Sequence, residues 1–145
     1  MMKFFRVGSM ASLVLICLSI FSFSAFSDDE ARDAQIAAVI EDQISAFKSK
    51  DGERAFSHAS PKIKAIFKDE KRFNAMVKQT YDMIYNPVFH QLEELKDVNG
   101  TLVQRAIFVG KKQQTVRAYY EMQKQEDGSW KINGVFVEKV ADQVT

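Results

Sequence analysis

Asp127–Lys139 reads DGSWKINGVFVEK and carries two glycine turn signals, Asp127-Gly128 and Asn133-Gly134. If both were turns, only Ser129–Ile132 would lie between them, short beside the 5–6 residues common for a strand. A turn at Asp127-Gly128 followed by a glycine bulge at Asn133-Gly134 keeps one continuous strand. A bulge inserts a residue, bends the strand and increases its twist. Trp130 and Ile132 then share a face with Val135 and Val137, and Phe136 lies on the other. The glycine then bends and twists one strand rather than turning the chain a second time.

The segments upstream supply the partners. TVRAYYEMQ, from Thr115, alternates Val116, Ala118, Tyr120 and Met122 against Thr115, Arg117, Tyr119 and Glu121. TLVQRAIFVG, from Thr101, is rich in branched and aromatic residues that suit strands and follows Asn99-Gly100, the dipeptide favoured by two-residue hairpins. Asn99-Gly100-Thr101 also fits the glycosylation pattern, but the turn accounts for it. VFHQLEEL, from Val88, is a candidate first strand whose alternation is poor.

Before Pro87 the period is helical. Ile36, Val39, Ile40, Ile44 and Phe47 predict a helix over roughly Ala31–Ser49. A short helix follows Asp51, with Ala55, Phe56 and Ala59 inward. Ser60-Pro61 starts another: serine caps a free backbone N–H and proline gives up a donor the first turn does not use. Ile63, Ile66 and Phe67 are expected on one side of it. Asp69 is read as the cap of a third major helix carrying Phe73, Met76, Val77, Tyr81 and Ile84 as far as Pro87, since a residue before proline avoids helical geometry. Helices first and antiparallel strands second is the segregated α+β pattern, with the helices on one face of a curved four-stranded sheet.

Residues 1–27 have the layout of a secretory signal peptide: Lys3 and Arg6, an apolar run over Leu13–Phe23, and Ala25-Phe26-Ser27 before Asp28. The alternative is a retained anchor, but the run is shorter than the ~20 residues of a spanning helix. Export to the periplasm or beyond is expected, with residues 28–145 as one domain and no stable membrane span after cleavage. Cleavage removes Cys17, the single cysteine, and takes Lys3 and Arg6 from the 20 basic residues, leaving 18 against 19 acidic. No basic excess remains for nucleic acid.

Motifs for chemistry are sparse. His58 and His90 lie in different elements without metal-ligand spacing, no nucleophile–base signature occurs, and neither a metal nor a cofactor is expected. Tyrosines and amides among apolar residues suit the polar points of a small-molecule pocket: Tyr81 and Tyr85 on the last turns of the third major helix, Gln104, Tyr120 and Trp130. Were the domain an enzyme of isomerase or cyclase type, His58, His90 or Glu94 would be the base beside a tyrosine donor. Arg105, Arg117, Tyr119 and Glu121 share the opposite sheet face and are candidates for a homodimer contact.

ASPKIKAIF, FNAMVKQTYDMIYNP, VQRAIFVG and YYEMQKQEDGSWKINGVFV, in this order and spacing, resemble a bacterial family catalogued as domain of unknown function 4864, over roughly Ile36–Val137. The resemblance implies a nuclear-transport-factor-2-like fold: helices across a curved antiparallel sheet, enclosing a conical cavity. That wider group includes isomerase-like enzymes, ligand carriers and domains that only dimerise, and the resemblance carries over no catalytic residue. Three functions follow as expectations. The first is non-catalytic binding of a small apolar or amphipathic ligand, or of a partner in the cell envelope. The others are an isomerase- or cyclase-like enzyme and a homodimerising envelope module.

Overall fold

The computed structural model describes residues 27–140; the signal sequence expected over residues 1–27 lies, except for Ser27, outside the described residues. Helices α1 (Asp28–Lys48), α2 (Gly52–Ser57), α3 (Pro61–Phe67), α4 (Glu70–Thr80) and α5 (Asp82–Tyr85) precede strands β1 (Phe89–Val98), β2 (Thr101–Val109), β3 (Thr115–Lys124) and β4 (Trp130–Lys139). The strands form one antiparallel sheet in the order β1-β2-β3-β4. This is the expected α+β architecture, consistent with a nuclear-transport-factor-2-like cone. No described helix is long and apolar enough to cross a membrane.

Capping residues set the helix starts. The side chains of Asp51, Ser60 and Asp69 accept from the N–H groups of Arg54, Ile63 and Arg72, donors without partners inside the helix. Every buried residue of α1 from Ile36 to Phe47 belongs to one stripe that faces the core: Ile36, Ile40, Gln43, Ile44, Ala46 and Phe47. Phe73 of α4 is the hub of an aromatic cluster, with ring centroids 6.1 Å from Phe47, 5.2 Å from Phe56 and 5.6 Å from Phe67. Burying a ring of this size contributes about 1.5–3 kcal/mol. Ala106, Phe108, Val116, Ala118, Tyr120, Met122 and Ile132 form the sheet's buried face beneath the helices.

Two expectations are corrected. Ile66 does not join Ile63 and Phe67 on the core side but is 60% exposed, because a two-turn helix of seven residues presents only one narrow stripe inward. The third major helix is not continuous to Pro87: α4 ends at Thr80, and Tyr81 leaves helical geometry at φ −128°, ψ 48°. The apolar spacing runs unbroken through the junction, so periodicity conceals the break. Tyr85 therefore sits on the separate turn α5 and packs on Phe47 at 5.4 Å between centroids.

The β1–β2 connection is a two-residue turn: Val98 pairs with Thr101, and Asn99 and Gly100 take φ of 53° and 85°. Both angles positive is the geometry that selects Asn-Gly. β4 is one strand, as its sequence predicts. Gly134 opposes Glu121 and Ile132 opposes Met122, leaving Asn133 as the extra residue. Gly134 itself has no left-handed backbone; a Cβ there would come within 3.2 Å of the Glu121 carboxylate. A second bulge underlies the poor alternation of β1. Leu92 opposes Ala106 and Leu95 opposes Gln104, so Glu93 and Glu94 together face Arg105. Both leucines consequently reach the core.

The bulge in β4 is tied to the helical layer. The Ile132 N–H donates to the His58 carbonyl at 2.8 Å, and the Ser60 N–H donates to the Ile132 carbonyl at 2.9 Å. Ala59 forms an isolated parallel bridge to Ile132. Ser60 is fully buried, accepts from the Ile63 N–H and donates its hydroxyl to Asn133 Oδ1 at 2.9 Å. One hydroxyl thus caps α3 and holds the bulge. Ser60→Ala removes the cap and orphans a partly buried acceptor, and is expected to destabilise the protein by about 2 kcal/mol in urea unfolding; a loss below about 0.5 kcal/mol would show that the tie carries no weight.

Candidate functional site

Between the helices and the concave sheet face lies a cavity of about 310 Å³, at the small end of the range for small-molecule sites, roughly 300–1,000 Å³. Each layer contributes to the wall. α1 supplies Gln43 and Phe47, α3 Ile63 and Phe67, and α4 Phe73, Met76 and Val77. The α4–α5 junction adds Tyr81 and Ile84; the sheet adds Tyr120, Ile132, Gly134 and Val135. Ala59, from the loop tied to β4, completes it. The bulge puts Ile132 and Val135 on the same wall although three positions separate them.

No charged side chain lines this cavity, and its polar side chains are Gln43, Tyr81 and Tyr120. Gln43 is 3% exposed and donates Nε2–H to the Ala55 carbonyl at 3.1 Å, joining α1 to α2. Tyr120 is fully buried beside Phe108, with ring centroids 6.4 Å apart. Its hydroxyl is the buried side-chain polar atom without a hydrogen-bond partner among the described residues. Burial, and secondarily the Glu41 carboxylate, pushes the phenol pKa upward.

The residues expected at a pocket are thus dispersed. Tyr81 and Tyr120 stand on the cavity wall; Tyr85, Gln104 and Trp130 do not. Tyr85 borders two other hollows beside Lys50, of about 260 and 550 Å³. Gln104 donates Nε2–H to the Glu93 carbonyl at 2.8 Å and the Arg105 carbonyl at 3.0 Å, so it fastens the β1 bulge. Trp130 packs at the core margin under the Lys124 ammonium, 6.0 Å from its ring centroid. Phe73, Ile132 and Val135 also line the cavity; apolar pattern cannot separate a residue facing a cavity from one facing another side chain.

The acid–base candidates lie outside the cavity wall. His58 Nε2 is 2.6 Å from Asp42 Oδ2. That bond first, and Arg54 after it, lowers the Asp42 pKa. His90 Nε2 is 2.8 Å from Glu41 Oε2, with the ring stacked on Phe108. Glu94 is exposed and pairs with Arg105 at 2.7 Å and Lys96 at 3.2 Å. None of the three has a hydrogen bond to a tyrosine among those described. No group of three or more potential metal ligands occurs among the described residues.

On the opposite sheet face, Arg105 and Arg117 converge on Glu93. Arg117 Nε–H donates to Glu93 at 2.8 Å, and Arg105 Nη2 lies 3.4 Å from it. Tyr119 donates to Glu138, and Glu121 lies over Gly134. Glu93 was not singled out from the sequence; the signal was an acid pair inside a strand whose alternation fails.

The chain matches the family model described as domain of unknown function (DUF4864) over residues 29–145. It belongs to that family, the one its ordered motifs suggest. No curated protein matches it.

The hydrogen bond from Arg117, then the charges of Arg117 and Arg105, hold the Glu93 pKa below the ordinary carboxylate range, against the opposing effect of desolvation. A depressed pKa stabilises the fold above the unfolded value, about 4.3, and the contribution disappears as pH falls through the folded value. Glu93→Gln is expected to cost roughly 1 kcal/mol at pH 7, with the gap to wild type closing below about pH 4. A gap unchanged from pH 7 to pH 3 would contradict this assignment.

Proposed function

We propose that this domain is an exported, non-catalytic binder of a small apolar or amphipathic ligand, held in the cavity between the helices and the sheet. The observation that carries the reading is the wall itself. It is aromatic and aliphatic, with a few polar groups and no charge, the composition of sites that bury an apolar ligand and orient it with a small number of hydrogen bonds. The candidate bases are engaged elsewhere, which favours binding over acid–base chemistry. Export rests on the signal-like layout of residues 1–27. N-terminal sequencing of the protein from a bacterial envelope fraction is expected to start at Asp28; a full-length cytoplasmic product would remove the exported part of the proposal.

Binding is testable by thermal shift. A ligand at about 100 times its Kd adds about 2.7 kcal/mol to the folded state, roughly a 10 °C rise at about 4 °C per kcal/mol. Val135→Phe, which fills the cavity from β4, is expected to abolish the rise while the ligand-free protein stays folded. The proposal fails if no apolar or amphipathic compound raises the wild-type Tm, or if the filled variant responds equally.

A further inference from the structure

The near-zero net charge of residues 28–145 conceals a local cluster of lysines at one end of the sheet. Lys50, Lys78, Lys111 and Lys112 line the hollow of about 550 Å³ that Tyr85 borders. Lys112 and Lys139 line an adjoining hollow of about 440 Å³, which shares Met83 and Gln114 with the first. Asp82 is the one acid on either wall among the described residues. All five lysines are exposed. The lysine that does pair with an acid among the described residues is Lys96, which is not one of them.

Helix dipoles account for part of the cluster. Lys78 lies in the last turn of α4, where a cation is favoured. Lys111, Lys112 and Lys139 lie at strand ends, and a sheet has only a small net dipole. The β2–β3 turn is held against α5. The Gly110 N–H donates to the Gln114 carbonyl at 2.9 Å, and a Cβ on Gly110 would come within 2.9 Å of Met83 Cγ. Its two lysines are thereby kept at the hollow. Like charges gathered without counter-ions repel one another, and a surface of opposite sign relieves that cost.

Val88 and Phe89 flank the same end, 59% and 49% exposed. The Val88 N–H donates to the Val109 carbonyl at 2.9 Å, and Phe89 pairs with Val109, the residue before Gly110. Lysines beside exposed aromatic and aliphatic side chains suit a membrane interface, where cations meet anionic headgroups and apolar groups enter the acyl boundary. A site for one free phosphate would converge its donors on a point, whereas these lysines spread across two hollows. We propose that this end of the domain docks on a membrane surface containing anionic phospholipid, with the five lysines against the headgroups and Phe89 at the acyl boundary. No lysine lines the ligand cavity, so docking does not depend on the binding function proposed above.

Vesicle sedimentation tests this with residues 28–145, which contain every described helix and strand and exclude the apolar run before Asp28. Vesicles of phosphatidylcholine mixed equally with phosphatidylglycerol are expected to bind the domain, and vesicles of phosphatidylcholine alone are not. Binding is expected to fall steeply between about 0.05 and 0.5 M salt. Lys111→Gln combined with Lys112→Gln is expected to weaken it about thirtyfold, at about 1 kcal/mol for each lysine. Lys62→Gln combined with Lys124→Gln removes the same net charge from exposed positions on α3 and at the far end of β3. That pair is expected to change binding by less than about twofold. Phe89→Ser is expected to weaken binding about fivefold and to keep its salt dependence.

No binding to the anionic vesicles, equal binding to both kinds, or equal losses in the two lysine pairs would overturn the proposal. Saturable binding of glycerol 3-phosphate in solution, without partition onto vesicles, would overturn it in favour of a soluble-anion site. An unaffected Phe89→Ser variant would overturn the apolar contact.

Discussion

The tie between Ser60 and the bulge at Asn133 is the constraint on which the rest of the structure depends. A regular β4 would present Trp130 and Ile132 on one face and Val135 and Val137 on the other, since side chains alternate. The extra residue reverses the alternation at one point, and all four apolar side chains lie on the helical side. The bulge would be left with unpaired polar groups at the sheet edge without a partner. The His58–Ser60 segment supplies one through two backbone hydrogen bonds and the Ser60 hydroxyl. It also covers part of the free edge of β4, which would otherwise be open to pairing with another chain.

The second bulge works in the same sense. In β1, Glu93 and Glu94 occupy one position opposite Arg105, and Leu92 and Leu95 both turn inward. Charge is thereby gathered on the outer face, where Glu93 is shared by Arg105 and Arg117. The two bulges divide the sheet: apolar residues and the Tyr120 phenol inside, an ion-paired network outside. A cavity without charge follows from this division. The lack of charged side chains in its wall restricts its chemistry more than its volume does, because an apolar enclosure rejects an unpaired charge far more strongly than it rejects an imperfect shape.

Much of this was legible in the residues. Asp51, Ser60-Pro61 and Asp69 marked helix starts because a cap is a local interaction. Asn99-Gly100 marked its hairpin because both positions need a positive φ. The single strand through Asn133-Gly134 followed from the short spacing of two turn signals. The bulge at Glu93–Glu94 was visible only as a failure of alternation, since nothing local marks which residue is extra. The break at Tyr81 was invisible because the apolar spacing continues through it. The cavity could be expected, but its wall could not: Tyr81 and Tyr120 face it while Tyr85, Gln104 and Trp130 serve packing and bulge geometry. That distinction arises from the angle at which the helices cross the sheet, and hydrophobic pattern contains no such angle.

Deleting Asn133 tests the central claim most directly, because it restores regular pairing and forces one pair of apolar residues to the outer face. Trp130, the single tryptophan, reports the outcome by fluorescence during urea unfolding. The account predicts loss of the cooperative transition, or a destabilisation of more than about 3 kcal/mol, comparable to losing a large core side chain. A deletion variant that unfolds cooperatively within about 0.5 kcal/mol of the wild type would contradict it.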